Sequence, residues 1–210
     1  SNTPRQLALY NAFKVNPPQF AHLPTLRNKE RKKLSKRRDP VDLRLFKDQG
    51  YLPEALLNFF ALLGWSHPSG KEIFDLKEFI EVLDLSRIHK TAPIFDMNKL
   101  NWLNKQYILK KSTSEFISYV KSASSYRTKP EFNKLAISTA QAIQPRVGTI
   151  LEYDEFIKPL FEEPKIGRDI LGEKFKEHLL TARHALGEIK NWDKDQIDAI
   201  LEKSVKEKNY

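Results

Sequence analysis

The chain contains the segment Lys32-Lys33-Leu34-Ser35-Lys36-Arg37-Arg38, which is the centre of a window, Lys29 to Arg38, in which seven of ten residues are basic. Such a run cannot enter a hydrophobic core, because burying unpaired ammonium and guanidinium groups is prohibitively costly. It must therefore face water or an anion, and a solvated loop or a nuclear-import-like tract is one interpretation. The pattern upstream of the run is that of a short mixed α/β piece, and the pattern downstream is helical.

The composition indicates a globular protein with a polyanionic partner. The 210 residues are 40% hydrophobic, which is enough for a core, and the formal net charge is +9. Clustered basic residues gain affinity for phosphates by releasing counterions. The absence of cysteine excludes disulfides, thiolate zinc sites and cysteine nucleophiles. No apolar run reaches the length of a membrane span, so we expect a soluble, intracellular protein without a membrane partner.

Helix start signals recur along the whole chain. Thr3 before Pro4 predicts a helix to about Phe13, and Phe20 to Leu23 is strand-like. From residue 39 onward the signals are caps, capping boxes and prolines at the first helical position. These signals are Asp39-Pro40, Pro53, Asp75 with Glu78, Asp96, Ser112 with Glu115, Thr128 before Pro130, Thr149 with Glu152, and Asp193 with Gln196.

The predicted fold class is therefore mainly α, with a short α/β piece at the start. The polar, basic stretch Lys110 to Ser114 changes the composition, and we expect a domain boundary near residue 109. The predicted domains are residues 1–38, 39–107 and 108–210.

Catalytic and metal-binding patterns are scarce. Adjacent carboxylates such as Glu162-Glu163 are typical of a solvated loop and do not support an acid/base hydrolase. No glycine-rich phosphate cradle is present. By elimination, the basic run is the only strong anion site. The histidines have no metal-ligand spacing, and they are His22, His67, His89, His178 and His184.

Several segments together resemble bacterial-type glutamyl-tRNA synthetase, a class I aminoacyl-tRNA synthetase. The match is specific over residues 1–107 and weaker beyond them. The segments are Asn2 to Gln6, Phe20 to Pro24, Lys33-Leu34-Ser35-Lys36-Arg37, Asp48 to Asn58, Leu63 to Ser66, Phe95-Asp96, Lys99-Leu100, Trp102 to Asn104, and Arg146 to Thr149 with Trp192.

The resemblance implies that Lys33 to Arg37 is the class I signature loop, which stabilises the phosphates of ATP. Lys36 matches the second lysine of the motif and is expected to contact the phosphates. Lys33 and Ser35 would position the loop, and Arg37 replaces the final serine. The implied cofactor is ATP with the Mg²⁺ that the nucleotide carries, and no structural zinc is expected.

The resemblance also assigns the predicted domains. Residues 1–38 would be the tail of the catalytic domain, 39–107 a helical stem-contact domain, and 108–210 a helical anticodon-binding domain that is truncated. Arg146 and Lys134 are candidate tRNA contacts, although a solvated helix face explains each of them equally well. Trp102 and Trp192 could stack on bases, but a packing role is commoner for tryptophan at such positions.

Two elements of the family are missing from the sequence, namely the His-Ile-Gly-His-type signature and the glutamate pocket. We therefore expect the chain to be a fragment that cannot form glutamyl-adenylate alone, derived from a monomeric ligase that uses tRNA(Glu), ATP and glutamate. The expected location is the bacterial cytoplasm, or alternatively a mitochondrion or plastid. A non-catalytic RNA-binding adaptor built from the same helical domains, and a plain helical interaction protein, remain alternatives.

Overall fold

The computed structural model describes residues 2–35, 42–163, 175–190 and 192–208, and these residues are mainly helical. The α-helices of this part of the chain are α1 (Thr3–Ala12), α2 (Leu43–Asp48), α3 (Pro53–Gly64), α4 (Leu76–Val82), α5 (Met97–Lys110), α6 (Thr113–Ala123), α7 (Phe132–Ile143), α8 (Glu152–Ile157), α9 (Phe175–Gly187) and α10 (Lys194–Lys208). Short 3₁₀ turns lie at Leu85–Arg87, Gln144–Arg146 and Lys158–Leu160.

The chain divides into two compact units, Ser1–Lys158 and Pro159–Tyr210. Helices α1 to α8 belong to the first unit, whereas α9 and α10 pack against each other in the second. The predicted boundary after residue 107 falls inside α5, which continues to Lys110. The assignment of residues 1–38, 39–107 and 108–210 to three domains stays a prediction.

Five of the predicted helix starts are confirmed, four of them by side-chain hydrogen bonds. The Asp75 carboxylate accepts from the Glu78 amide at 2.8 Å, and Ser112 forms the predicted capping box with Glu115. The hydrophobic staple is present too, because the rings of Phe74 and Phe79 stack with centroids 6.0 Å apart. Further confirmed starts are Pro53, Asp96 with the Asn98 amide, and Asp193 with the Gln196 amide.

Other start signals do not act as predicted. Thr3 is the first residue of α1, and Asn2 before it occupies the cap position without a side-chain bond. Helix α7 begins after Glu131, and α8 begins after Leu151, in both cases without a capping side chain. The predicted start at Asp39-Pro40 lies outside the described residues.

The predicted strand at residues 20–23 is wrong, because that stretch forms no backbone pairing with any residue the structure describes. Backbone bridges occur a few residues later, where Arg27 pairs with Lys33 and with Ile94. The α/β character of the opening segment is thus limited to isolated bridges.

The core of the first unit lies where α3 packs on α5. Its centre is aromatic, since the rings of Phe59 and Phe95 meet edge to face with centroids 5.1 Å apart. Leu100 and Leu103 on α5 are completely buried against these rings. A second group of buried residues joins α6, α7 and α8, and it comprises Phe116, Val120, Phe132, Ala136, Ala140, Tyr153 and Ile157.

Gly50 brings the backbone before α3 into close contact with the backbone before α8. Its carbonyl accepts from the Ile150 amide at 3.0 Å, its φ is +80°, and a Cβ there would lie 2.7 Å from the Leu151 nitrogen. Only glycine adopts this conformation without strain and leaves room for the neighbouring backbone.

We predict that Gly50→Ala lowers the free energy of unfolding by about 3 kcal/mol, because left-handed strain adds to a backbone clash. Gly70→Ala is the matched control, since Gly70 has φ +75° but open space around it, and it should cost only about 1 kcal/mol. Urea unfolding followed by fluorescence of Trp65 and Trp102, which both lie in the first unit, measures both losses in a Trp192→Phe background. If both variants lost the same free energy of unfolding, the contact with Leu151 would not contribute to the cost of Gly50→Ala.

Candidate functional site

The residues around the basic run form a tight reversal from Leu26 to Leu34, which we call the basic hairpin. The Leu34 amide donates to the Leu26 carbonyl at 3.1 Å, and the Asn28 amide donates to the Lys32 carbonyl at 2.9 Å. These bonds surround the antiparallel bridge between Arg27 and Lys33. The hairpin therefore fixes the backbone that leads into the Lys33-to-Arg37 motif.

Local polar contacts hold the turn of the hairpin. The Asn28 side-chain oxygen accepts from the Lys32 amide at 2.9 Å, as asparagine commonly does in turns. Arg31 adopts φ +60°, and its carbonyl accepts from the Arg27 guanidinium at 3.2 Å. A non-glycine residue in this region is uncommon, so the surrounding bonds maintain the conformation.

The hairpin is also joined to the segment just before α5. The Arg27 amide donates to the Pro93 carbonyl at 2.9 Å, and the Phe95 amide donates to the Arg27 carbonyl at 2.8 Å. Beside this pairing, the Lys29 ammonium lies 3.2 Å from the Asp96 carboxylate. The Asn98 amide and, to a smaller extent, Lys29 hold the pKa of Asp96 below its usual value.

The apolar side chains of the hairpin pack against the core, and its charged side chains are exposed to solvent. Leu26 and Leu34 are half-buried against the aromatic core, whereas Lys32 and Lys33 are exposed. No ion pair of Lys32 or Lys33 with another described residue is present. Ser35 follows Leu34 and is half-buried. The structure thus brings Lys33 and Ser35 together on an anchored arm, while Lys36 and Arg37 lie outside the described residues.

A pocket of about 400 Å³ lies beside the segment at residues 93–95 that pairs with the hairpin. Pro93, Ile94 and Asp96 form part of its wall. The Ser66 hydroxyl lies 2.8 Å from the His89 Nε2 in its wall, and Lys99 forms a 2.6 Å ion pair with Glu72. Sequence reasoning missed this pocket, because its walls come from two separated segments of the chain, residues 59–72 and 89–99.

The two candidate RNA-contacting residues lie on different elements of the first unit, and both are exposed. Lys134 is in the first turn of α7. Arg146 ends the 3₁₀ turn Gln144–Arg146 that follows α7. Arg146 and the described part of the Lys33 motif lie on different elements of the first unit. The five residues Gln144 to Gly148 are named the arginine turn below.

Side chains and backbone hold the arginine turn on both sides of Arg146. The buried Gln144 amide donates to the carbonyls of Ile108 and Lys111, at 2.8 and 2.9 Å, at the end of α5. Val147 is completely buried. The Gly148 carbonyl accepts from the Asn104 amide at 2.6 Å. In the sequence, Arg146 to Thr149 was notable only as a segment that resembles the family. These bonds show that the segment also has a structural role, because they fix the backbone of the turn.

The remaining candidates have ordinary surroundings. Trp102 is 40% exposed with the Lys99 ammonium 4.2 Å from its ring centre, and Trp192 is 67% exposed. Within the described residues, no group of three His, Asp or Glu side chains could hold a metal ion. The same residues include no helix that is long and apolar enough to span a membrane.

Residues 1–102 match the family model described as tRNA synthetases class I (E and Q), catalytic domain. Over 209 residues, the chain is 39% identical to glutamate–tRNA ligase 1 of Fervidobacterium nodosum, covering 98% of this chain and 43% of that protein. Identity to the glutamate–tRNA ligase of Acidothermus cellulolyticus is 37%, over 96% of this chain and 43% of that protein. The chain is therefore similar to glutamyl-tRNA synthetases over nearly its whole length. It spans less than half the length of these relatives.

The fold agrees with that of solved structures. A crystal structure of a glutamate tRNA ligase from Elizabethkingia meningosepticum, in complex with its amino acid, matches with a TM-score of 0.72. The match covers 99% of this chain and 46% of that chain at 23% sequence identity. The described helices therefore have the arrangement of a class I synthetase fold.

The Lys29–Asp96 ion pair gives a pH-dependent prediction. Because the folded-state pKa of Asp96 is lowered, its stabilisation is present above its unfolded value near 3.8 and is lost as the pH falls through the folded value. Asp96→Asn keeps a capping oxygen but removes the charge. We expect this change to cost a few tenths of a kcal/mol at pH 7, as for exposed ion pairs, and nothing once Asp96 is protonated.

Urea unfolding of the wild type and of Asp96→Asn between pH 2.5 and 7 measures this difference. Lys29→Gln is the control, since it should destabilise the wild type and leave Asp96→Asn unchanged. A constant difference between the two proteins at every pH would contradict an ionic contribution.

Proposed function

We propose that this chain takes part in the ATP-dependent ligation of glutamate to tRNA(Glu) through a glutamyl-adenylate. The basic hairpin carries the proposal, because it presents the Lys33 motif on an arm that is anchored to the core at Leu26 and Leu34. Similarity to the class I synthetase catalytic-domain family over residues 1–102, and to curated relatives named glutamate–tRNA ligase, supports the synthetase over the adaptor. A cytoplasmic location, a monomeric state and the three-domain layout are parts of the same proposal.

The proposed chemistry is attack of the glutamate carboxylate on the α-phosphorus of ATP. A bond forms between a carboxylate oxygen and phosphorus, and the bond to the leaving pyrophosphate breaks. Negative charge moves onto the pyrophosphate, so ammonium groups that engage it more tightly in the transition state accelerate the step. Lys36 is the residue we assign to this contact, with Lys33, Ser35 and Arg37 positioning the loop. Mg²⁺ bound with the nucleotide would neutralise part of the phosphate charge.

The shape of the hairpin fits this role in one further respect. The pairing of Arg27 with Lys33 and with Ile94 fixes the base of the loop, and the motif continues beyond it. Cations on an anchored base reach the phosphates with little loss of conformational freedom, since the core rather than the ligand holds the arm. Lys29, Lys32 and Lys33 add exposed positive charge that would attract the nucleotide.

The helical part of the first unit is proposed to bind tRNA, with Arg146 and Lys134 as contacts. Both side chains are exposed and available to phosphates or bases. The backbone around Arg146 is held by hydrogen bonds from another helix and to it, whereas Lys134 lies in the first turn of α7, which begins without a capping side chain. We therefore assign Arg146 the larger share of specific binding.

The catalytic proposal is tested by pyrophosphate exchange with glutamate, ATP and tRNA(Glu). The 210 residues alone are expected to show no exchange, and turnover would contradict that expectation. Joined to the nucleotide-binding half of a relative, the chain should restore exchange, and Lys36→Ala should then lower kcat about 100-fold. The control Lys77→Ala changes an exposed lysine on α4 and should have no effect. An unchanged kcat in Lys36→Ala would contradict the role of the loop.

The RNA-binding proposal is tested by filter binding of a tRNA(Glu) transcript to the 210-residue chain across a salt series. We expect affinity to fall steeply with salt, because basic residues displace counterions from phosphates. Arg146→Ala should weaken binding about tenfold, and Lys134→Ala should weaken it less while reducing the salt slope. Binding that does not depend on salt, or no binding at low salt, would contradict this part of the proposal.

A further inference from the structure

Arg146 is an exposed residue in a turn whose neighbours cannot move freely. Gln144 is anchored at the end of α5 by two hydrogen bonds, and Val147 is completely buried. Two residues after Arg146, both backbone polar groups of Gly148 are bound by side chains of other helices. Such a turn has few backbone conformations available.

The carboxamide of Asn104 provides one of these two bonds. Asn104 is completely buried in the middle of α5. Its Nδ2 donates to the Gly148 carbonyl at 2.6 Å, and its Oδ1 accepts from the Leu52 amide at 2.8 Å. Both ends of the amide are thus satisfied, which fixes its orientation.

Glu152 provides the other bond from the opposite side. It is exposed at the start of α8, and its Oε2 accepts from the Gly148 amide at 2.6 Å. The RNA-binding proposal above gives no role to Asn104 or to Glu152. Neither side chain is cationic, so neither is expected to bind the phosphates of RNA itself.

We propose that Asn104 and Glu152 are positioning residues, which hold the arginine turn so that Arg146 meets RNA in one geometry. The inference rests on the proposed binding of tRNA by Arg146. Its physical basis is preorganisation, because a side chain on a fixed backbone loses less conformational entropy on binding. A planar guanidinium gains most from this, since its paired hydrogen bonds require a defined direction.

The first test compares Asn104→Ala with Asn58→Ala. Asn58 is a matched control in the same unit, because it is also a buried asparagine whose Oδ1 accepts a backbone amide, that of Phe74. Its other contact is Tyr107, which is outside the arginine turn. Urea unfolding should show that both variants lose stability. Only Asn104→Ala should also weaken tRNA(Glu) binding, by about fivefold, when measured at a temperature at which both remain folded.

The second test compares Glu152→Ala with Glu152→Gln, which have the same net charge. The glutamine keeps an oxygen that can accept from the Gly148 amide, whereas the alanine does not. Electrostatic repulsion of RNA is relieved equally in both, so weaker binding by Glu152→Ala reports the loss of the hydrogen bond. Because Glu152 is exposed, this comparison remains decisive even if Asn104→Ala does not fold.

Each variant is also combined with Arg146→Ala. If Asn104 and Glu152 act through the arginine, their effects on tRNA affinity should disappear in the Arg146→Ala background. Unchanged effects in that background, equal affinities of the two Glu152 variants, or equal losses in the two asparagine variants would overturn the inference. A wild-type chain that does not bind tRNA would overturn the RNA-binding proposal itself, which is a different outcome from these.

Discussion

The first unit depends on the carboxamide of Asn104, which joins two distant segments of the chain. One bond reaches the Leu52 amide at the start of α3, and the other reaches the Gly148 carbonyl. Without the bond, the Leu52 amide would be buried without a partner, which costs about 1–3 kcal/mol. The half-buried Gly148 carbonyl would lose its side-chain partner as well. Leu100 and Leu103 on the same helix are completely buried, so apolar packing places the amide where these bonds form.

Helix α5 consequently connects the two candidate functional elements. Immediately before the helix, Phe95 pairs with Arg27 of the basic hairpin and Asp96 contacts Lys29. Eight residues later, about 12 Å along the helix axis, Asn104 holds the arginine turn. A helix with a buried face resists bending, so the base of the proposed phosphate loop and the proposed RNA contact are kept at a fixed separation.

The candidate site could be predicted in part. The charge of the run and the order of its residues identified the Lys33 motif, because an anion-facing loop is a local property of the sequence. The hairpin that supports it was not predicted, and a strand was placed instead at residues 20–23. The reason is that Arg27 pairs with the segment at residues 93–95, more than sixty residues away, and no local signal marks that partner. Lys36 and Arg37, which lie outside the described residues, keep their roles only as a proposal.

The sequence by itself determined the helical class, the similarity to glutamyl-tRNA synthetases, and those helix starts that depend on a cap two or three residues away, such as Asp75 with the Glu78 amide. These features are local, because each needs only neighbouring residues for its hydrogen bonds. Tertiary structure alone decided that Asn104 is a buried connector and that Arg146 lies in a held turn. Both depend on bonds between residues 36 to 52 positions apart. Burial of the surrounding apolar side chains creates those contacts, and a local pattern does not encode them.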